Sequence, residues 1–293
     1  MRPPSEALVD FAPAKVNLSL HVLGRRADGY HEIESLVAFA DVGDRVALQL
    51  ADTLWLMVVG PTAAAAGADS DNLVLKAARA LQERVEGLRL GRFSLDKQLP
   101  VAAGLGGGSS DAAAALRLIA QANGLSLTDE RVRDAARATG ADVPVCLEPK
   151  ARMMRGIGEI LSPPIALPPL PAVLINPGVA VPTKDVFKAL AAPMLAGPPQ
   201  PDDFFTIEVD AAALISVLAA RRNDLEPPAV RLQPVIADVL GELRGASGCA
   251  LARMSGSGAT CFGLFNSAPA AETAAQKIQA AHPTWWVRAT AFS

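Results

Sequence analysis

Between positions 100 and 115 the chain reads Pro-Val-Ala-Ala-Gly-Leu-Gly-Gly-Gly-Ser-Ser-Asp-Ala-Ala-Ala-Ala. Glycine is poorly suited to the interior of a helix or strand, whereas an alanine run is the best helix former available. The passage therefore predicts a tight turn that opens an alanine-rich helix, and Gly124 ends that helix. A glycine turn at a helix start gathers backbone N–H groups at the positive end of the helix dipole, which favours an anion by about 0.3–1 kcal/mol. Gly104, Gly106, Gly107 and Gly108 allow close approach, and Ser109 and Ser110 add hydroxyl donors. A turn kept small only for close packing is the plainer alternative. Two familiar phosphate loops are excluded. A Walker A loop needs Gly-Lys before its Ser or Thr, and the nearest upstream lysine, Lys97, lies outside the loop. The dinucleotide fingerprint fails as well, because its last glycine would fall on Ser109 or on Asp111.

A chain of 293 residues exceeds the usual size of one core, so two domains are expected. With 27 basic against 30 acidic residues, the electrostatic case for nucleic acid or for an anionic membrane falls away. Cys146, Cys249 and Cys261 are dispersed with no Cys-x-x-Cys spacing, which suits a reducing cytoplasm. His21, His31 and His282 are equally scattered, so no zinc constellation and no protein metal ligand set is expected. A mean hydropathy of +0.26 makes a membrane span worth testing. The charge-free window 160–183 carries prolines at 163, 164, 168, 169, 171, 177 and 182, which no spanning helix tolerates. It predicts a linker and a short strand. The start of the chain lacks a signal-peptide core, and a cytoplasmic location is expected.

Branched residues between turn signals predict strands at 7–11, 16–23, 32–38, 45–50, 54–59 and 92–96. Helical spacing predicts a helix over 72–85 capped by Ser70 or Asp71, and another over 129–139 capped by Thr128 and ended by Gly140. A glycine hairpin is expected near Gly156 and Gly158. Beyond the prolines the pattern predicts strands at 172–175, 250–254, 260–265 and 285–291, and helices at 184–190, 211–221, 235–243 and 269–281. That alternation suits a two-layer α+β sandwich.

Three passages carry a resemblance. The glycine loop from Pro100 to Ser110 resembles the ATP-phosphate loop of the GHMP small-molecule kinases. Ala12-Pro13-Ala14-Lys15-Val16-Asn17-Leu18 is similar to that family's first motif, and Met254-Ser255-Gly256-Ser257-Gly258-Ala259-Thr260 to its third. The strings Arg26-Ala27-Asp28-Gly29-Tyr30-His31 and Gly140-Ala141-Asp142-Val143-Pro144-Val145 resemble one branch, which acts in the non-mevalonate route to isoprenoid precursors on an alcohol carrying cytidine diphosphate. The resemblance implies an α+β fold of two domains. Residues 1–160 would form a ribosomal-protein-S5-like ATP domain, and 161–293 a ferredoxin-like α/β sandwich.

The resemblance also implies roles. Phosphoryl transfer asks mainly for positioning and charge stabilisation. Asp142 falls on the catalytic aspartate, whose plainer role would be a helix cap, and Lys15 falls on the lysine that offsets charge at the accepting oxygen. ATP, bringing Mg²⁺ with it, would meet Asn72, Lys97, Pro100, Gly104, Leu105, Gly106, Gly107, Gly108, Ser109 and Ser110. The cytidine-bearing substrate would meet Asn17, Tyr30, His31, Thr183 and Phe187, with Tyr30 and Phe187 flanking the cytosine. Stretch 148–154 departs from the pattern, placing charges and methionines where relatives often carry small residues. Two rivals remain: a GHMP kinase for another small alcohol, such as homoserine or a sugar, and a nucleotide-binding sensor that has lost catalysis. Monomer and weak homodimer are equally compatible with the sequence.

Overall fold

Contacts between Cα atoms divide the chain into two units that interleave along the sequence. The computed structural model describes residues 7–66, 71–195, 197 and 210–293. The first unit takes in the described residues up to Ala14, Val42–Val101 and Gly106–Pro149; the second takes in Lys15–Asp41, Ala102–Leu105 and the described residues from Lys150 onward. The expected division at residue 160 is a single cut, whereas these units exchange segments.

Several expected strands have merged. Segments 7–11 and 16–23 belong to one strand, β1 (Leu8–Arg25), and segments 32–38 and 45–50 to another, β2 (His31–Leu50). The two strands pair. Gly43 shows how closely they approach, since a Cβ there would lie 2.3 Å from Ala12 O. The end of β2 runs antiparallel to β4 (Gly91–Asp96), and β4 runs parallel to β3 (Trp55–Val59). The described residues of the first unit also form four α-helices: α1 (Leu73–Gln82), α2 (Gly107–Asn123), α3 (Glu130–Thr139) and α4 (Val143–Leu147).

Helix α2 is surrounded by α1, α3 and α4, and its residues Ala112–Leu116 and Leu118–Ala120 are all buried. A helix buried on nearly every side needs small apolar residues all round, which accounts for the alanine run. Arg117 is the polar exception. Its guanidinium reaches Asp10 Oδ2 (2.7 Å), Cys146 O (2.7 Å) and Phe11 O (2.8 Å). Gly124 ends the helix in the left-handed region, as expected. The expected caps are corrected. Asn72, not Asp71, caps α1 by accepting from Val74 N (2.9 Å), and Ser70 lies outside the described residues. Asp129, not Thr128, caps α3.

In the second unit, Ile33–Val37 of β2 pair with β5 (Arg152–Gly156), which turns back into β6 (Ile160–Leu161). Met153 and Met154, out of pattern in the sequence, are buried on β5. A second set of antiparallel strands runs in the order β10 (Trp286–Phe292), β7 (Leu170–Asn176), β9 (Cys261–Phe265) and β8 (Cys249–Met254), with Phe292 opposite Ala40 of β2. Helix α8 (Val235–Gly245) packs on β8 and β9, and α9 (Ala268–Ala281) on β7 and β10. Their shared core includes Val173, Ile175, Ile236, Val239, Leu243, Phe265 and Ile278.

Helices α5 (Thr183–Leu190), α6 (Ala211–Ala219) and α7 (Glu226–Leu232) complete the described part of this unit. The sequence pattern misses α7. Its two prolines, Pro227 and Pro228, sit in the first turn, where no intrahelical N–H is needed and proline is tolerated. The charge-free window forms β6 and β7, and no helix among the described residues is long and apolar enough to cross a membrane.

Candidate active site

The residues expected at the site fall into two groups, one in each unit. In the first unit, Gly106 precedes α2 with φ 59° and ψ 19°, a left-handed conformation that only glycine adopts freely, and it offers no side-chain cap. The N–H groups of Gly107, Gly108 and Ser109 therefore lack intrahelical acceptors, which is the arrangement an anion requires. The two serines differ. Ser109 is half-buried, whereas Ser110 is buried, donates its hydroxyl to Pro13 O (2.7 Å) and lies 3.4 Å from Cys146 Sγ. Asn72 has its side-chain oxygen engaged in capping α1.

Lys97 is only 3 % exposed. Its ammonium donates to Asp44 Oδ2 (2.5 Å) and to Asp111 Oδ2 (2.8 Å), and both carboxylates are themselves buried. Asp44 Oδ1 accepts from the backbone of Gln98 (2.6 Å) and of Leu99 (2.9 Å), immediately before Pro100. Burial works against the Lys97 charge, but Asp111 and Asp44 outweigh it and hold its pKa above the ordinary value. With one ammonium between two acids, burial pushes Asp111 up to about 8; Lys97 opposes that rise and Asp44 adds to it. Neither Asp44 nor Asp111 was among the expected site residues. The available signal was that Lys97 and Asp111 flank the glycine loop.

Asp142 is half-buried at the N-cap position of α4, yet its side chain makes no capping hydrogen bond. The plain role open to it in the sequence is therefore not the one it takes.

In the second unit, three distant stretches are knotted together. Lys15, 4 % exposed, donates its backbone N–H to Leu105 O (2.8 Å). Asn17 donates its backbone N–H to Ser255 Oγ (3.0 Å), and Ser255 in turn donates to Gly104 O (2.9 Å). Thr260 N donates to Ala103 O (3.1 Å). Gly104 has φ 75°, and a Cβ on it would lie 2.5 Å from Ser255 O, so the position excludes any other residue. The side chain of Asn17 donates to Ser35 Oγ (2.7 Å). Asn223 holds the third motif by donating to Met254 O and Gly256 O, both at 2.8 Å. Ser35, Asn223 and Ser255 are supporting residues that the sequence reading does not single out.

The same unit holds the aromatic residues expected at the substrate. Asp28 accepts from Tyr30 N (3.0 Å) in a turn that needs Gly29 at φ 89°. Tyr30 projects outward at 60 % exposure. The neighbouring His31 ring stacks on Phe187 of α5, with centroids 4.6 Å apart and planes 28° apart. Thr183, at the start of α5, shares a hydrogen bond with Ser257 of the third motif (2.8 Å). Burial, helped by Arg25, lowers the His31 pKa below 6.5, so its ring is neutral near pH 7. A neutral imidazole offers one donor and one acceptor, which suits an uncharged base edge.

Comparison with known proteins identifies the family. The description "GHMP kinases N terminal domain" matches residues 72–149, and "GHMP kinases C terminal" matches residues 209–284. A 4-diphosphocytidyl-2-C-methyl-D-erythritol kinase of Rhodopseudomonas palustris (strain BisB18) is 58 % identical, over 97 % of this chain and 94 % of the relative. A protein of the same name from Methylobacterium radiotolerans is 60 % identical, over 97 % of this chain and 98 % of the relative. A crystal structure of 4-(cytidine 5'-diphospho)-2C-methyl-D-erythritol kinase aligns with a TM-score of 0.75 at 34 % identity, covering 98 % of this chain and all of that one.

Proposed function

The chain belongs to the GHMP kinase family and has its two-domain α+β fold, and from that premise we propose that it transfers the γ-phosphate of ATP to the 2-hydroxyl of 4-diphosphocytidyl-2-C-methyl-D-erythritol. The products are the 2-phosphate and ADP, and the step belongs to the non-mevalonate route to isoprenoid precursors. The observation that carries this reading is the near-full-length identity to kinases of that name. A kinase for homoserine or a sugar shares the fold but has no use for the Asp28–His31 turn and its ring contact to Phe187.

The nucleotide phosphates meet the N–H groups that open α2, with Ser109 as the more accessible of the two hydroxyls and Gly104–Gly108 as the close-approach backbone. Asn72, Lys97, Pro100, Leu105 and Ser110 shape that cradle. Magnesium enters with the nucleotide, held mainly by phosphate oxygens and water, and supplies charge neutralisation when bound. Asp142 orients the accepting hydroxyl and takes its proton, worth about 10²–10⁴ in rate. Lys15 offsets charge on the accepting oxygen. Asn17 and Thr183 bind the substrate's polar groups, while Tyr30, His31 and Phe187 receive the cytosine. The protein works in the cytoplasm as a monomer or weak homodimer.

ADP release with the cytidyl substrate, wild type beside Asp142→Asn, tests this account. Turnover in the wild type and its near-complete loss in the variant are expected. Equal turnover in both refutes the base assignment, and none in either favours a nucleotide-binding sensor.

A further inference from the structure

We propose that Asp44, Lys97 and Asp111 are positioning residues for the phosphate loop, one buried ammonium tying the chain that enters the loop to the helix that leaves it. The inference rests on the kinase reading above. Asp44 is fixed on β2 and accepts from the two backbone N–H groups just before Pro100, which sets where the loop begins. Asp111 is the fifth residue of α2, one turn in from its start and directly after the two serines. The Lys97 ammonium joins the two carboxylates. A Cβ added to Gly107 would lie 3.4 Å from Lys97 Nζ, so the cluster sits directly beneath the N–H groups offered to phosphate.

Stability alone is a poor reason for such a cluster, because well-packed apolar residues often replace a buried ion network at no cost. A cradle for a highly charged ligand has a stronger reason: it must be rigid, and it must not carry excess negative charge. Two carboxylates and one ammonium meet the second condition only while one acid keeps its proton. The elevated pKa of Asp111 is consistent with that, as is its buried Oδ1, which has no partner among the described residues. The charged groups acting on Asp111 are Lys97 and Asp44. On the helices packed against α2, Lys76 of α1 is turned to Thr139 O, Cys146 of α4 faces Ser110 Oγ, and Arg131 and Arg137 of α3 pair with acids at the surface.

The test is the KM for ATP, measured beside kcat and the KM for the cytidyl substrate, in wild type, Asp111→Asn and Asp111→Leu between about pH 6 and pH 10. In the wild type the KM for ATP rises above about pH 8, approaching tenfold per pH unit, while the cytidyl KM holds. Asp111→Asn mimics the protonated acid; its KM for ATP stays near the wild-type value at neutral pH and loses the alkaline rise. Asp111→Leu keeps the volume but not the tie, and raises the KM for ATP about tenfold at every pH. Thermal unfolding confirms that each variant is folded; if Asp111→Leu is not, the Asp111→Asn profile decides. An unchanged alkaline rise in Asp111→Asn overturns the proposal, as does a folded Asp111→Leu with an unchanged KM for ATP. Failure of the wild type to turn over the cytidyl substrate counts against the kinase reading instead, and direct ATP binding to the same proteins then carries the same comparison.

Discussion

The residues proposed for the phosphates and those proposed for the base are built on opposite principles. Among the phosphate residues, Lys97 is 3 % exposed and its ammonium pairs with two carboxylates that are themselves buried. Among the base residues, Tyr30 is 60 % exposed on a five-residue turn, and the one ring contact is His31 on Phe187. The first group depends on strands and helices far apart in sequence and tolerates little change. The second rests on a local turn and one helix face, so its ligand preference is separable from the stability of the fold. In the proposed reading the phosphate-handling residues sit in the core, and the residues assigned to the cytidyl group sit at the surface.

Four substitutions or conditions would break that contrast. The largest effect is expected at Asp142, whose conversion to Asn lowers kcat by about 10²–10⁴ and leaves both KM values nearly unchanged, as steady-state kinetics would record. Next, Lys97→Met leaves the buried Asp44–Asp111 pair without its cation, and the loss of about 3–5 kcal/mol should appear as a lower thermal midpoint. By contrast, Phe187→Ala removes a ring contact worth about 0.5–1.5 kcal/mol, raising the KM for the cytidyl substrate roughly two- to tenfold while that for ATP stays constant. The smallest effect is expected from acid. Because the His31 pKa is depressed on folding, the neutral ring is the form the fold favours, and that stabilisation is lost as pH falls below the ordinary value of 6.5. The KM for the cytidyl substrate should therefore rise on the acid side, opposite to the alkaline rise expected for ATP.

The sequence made the local features legible and hid the long-range ones. The glycine turn, the alanine helix and its stop at Gly124 follow from residues within one segment, and all three stand in the structure. The merging of the first four strands into two does not, because it depends on Gly43 lying against Ala12. Helix α7 was hidden by prolines that read as a break but occupy the one place in a helix where they fit. At the proposed site, motifs single out Lys15, Asn17 and Asp142 in the sequence. Their supports are not so marked: Ser255 reaches Asn17 across 238 residues and Lys97 reaches Asp44 across 53. A buried lysine announces that it needs a partner, but only the fold says which. The contact of Phe187 with His31 is a further feature that no local pattern in the sequence announces.

The central claim, a phosphotransferase selected by its cytidyl group, is tested most directly by kcat/KM for 4-diphosphocytidyl-2-C-methyl-D-erythritol beside unsubstituted methylerythritol and homoserine, with ADP release as the readout. A preference for the cytidyl compound of at least about a hundredfold is predicted, the size expected when buried polar groups and a stacked base are left unmatched. Equal turnover of the three alcohols would contradict it.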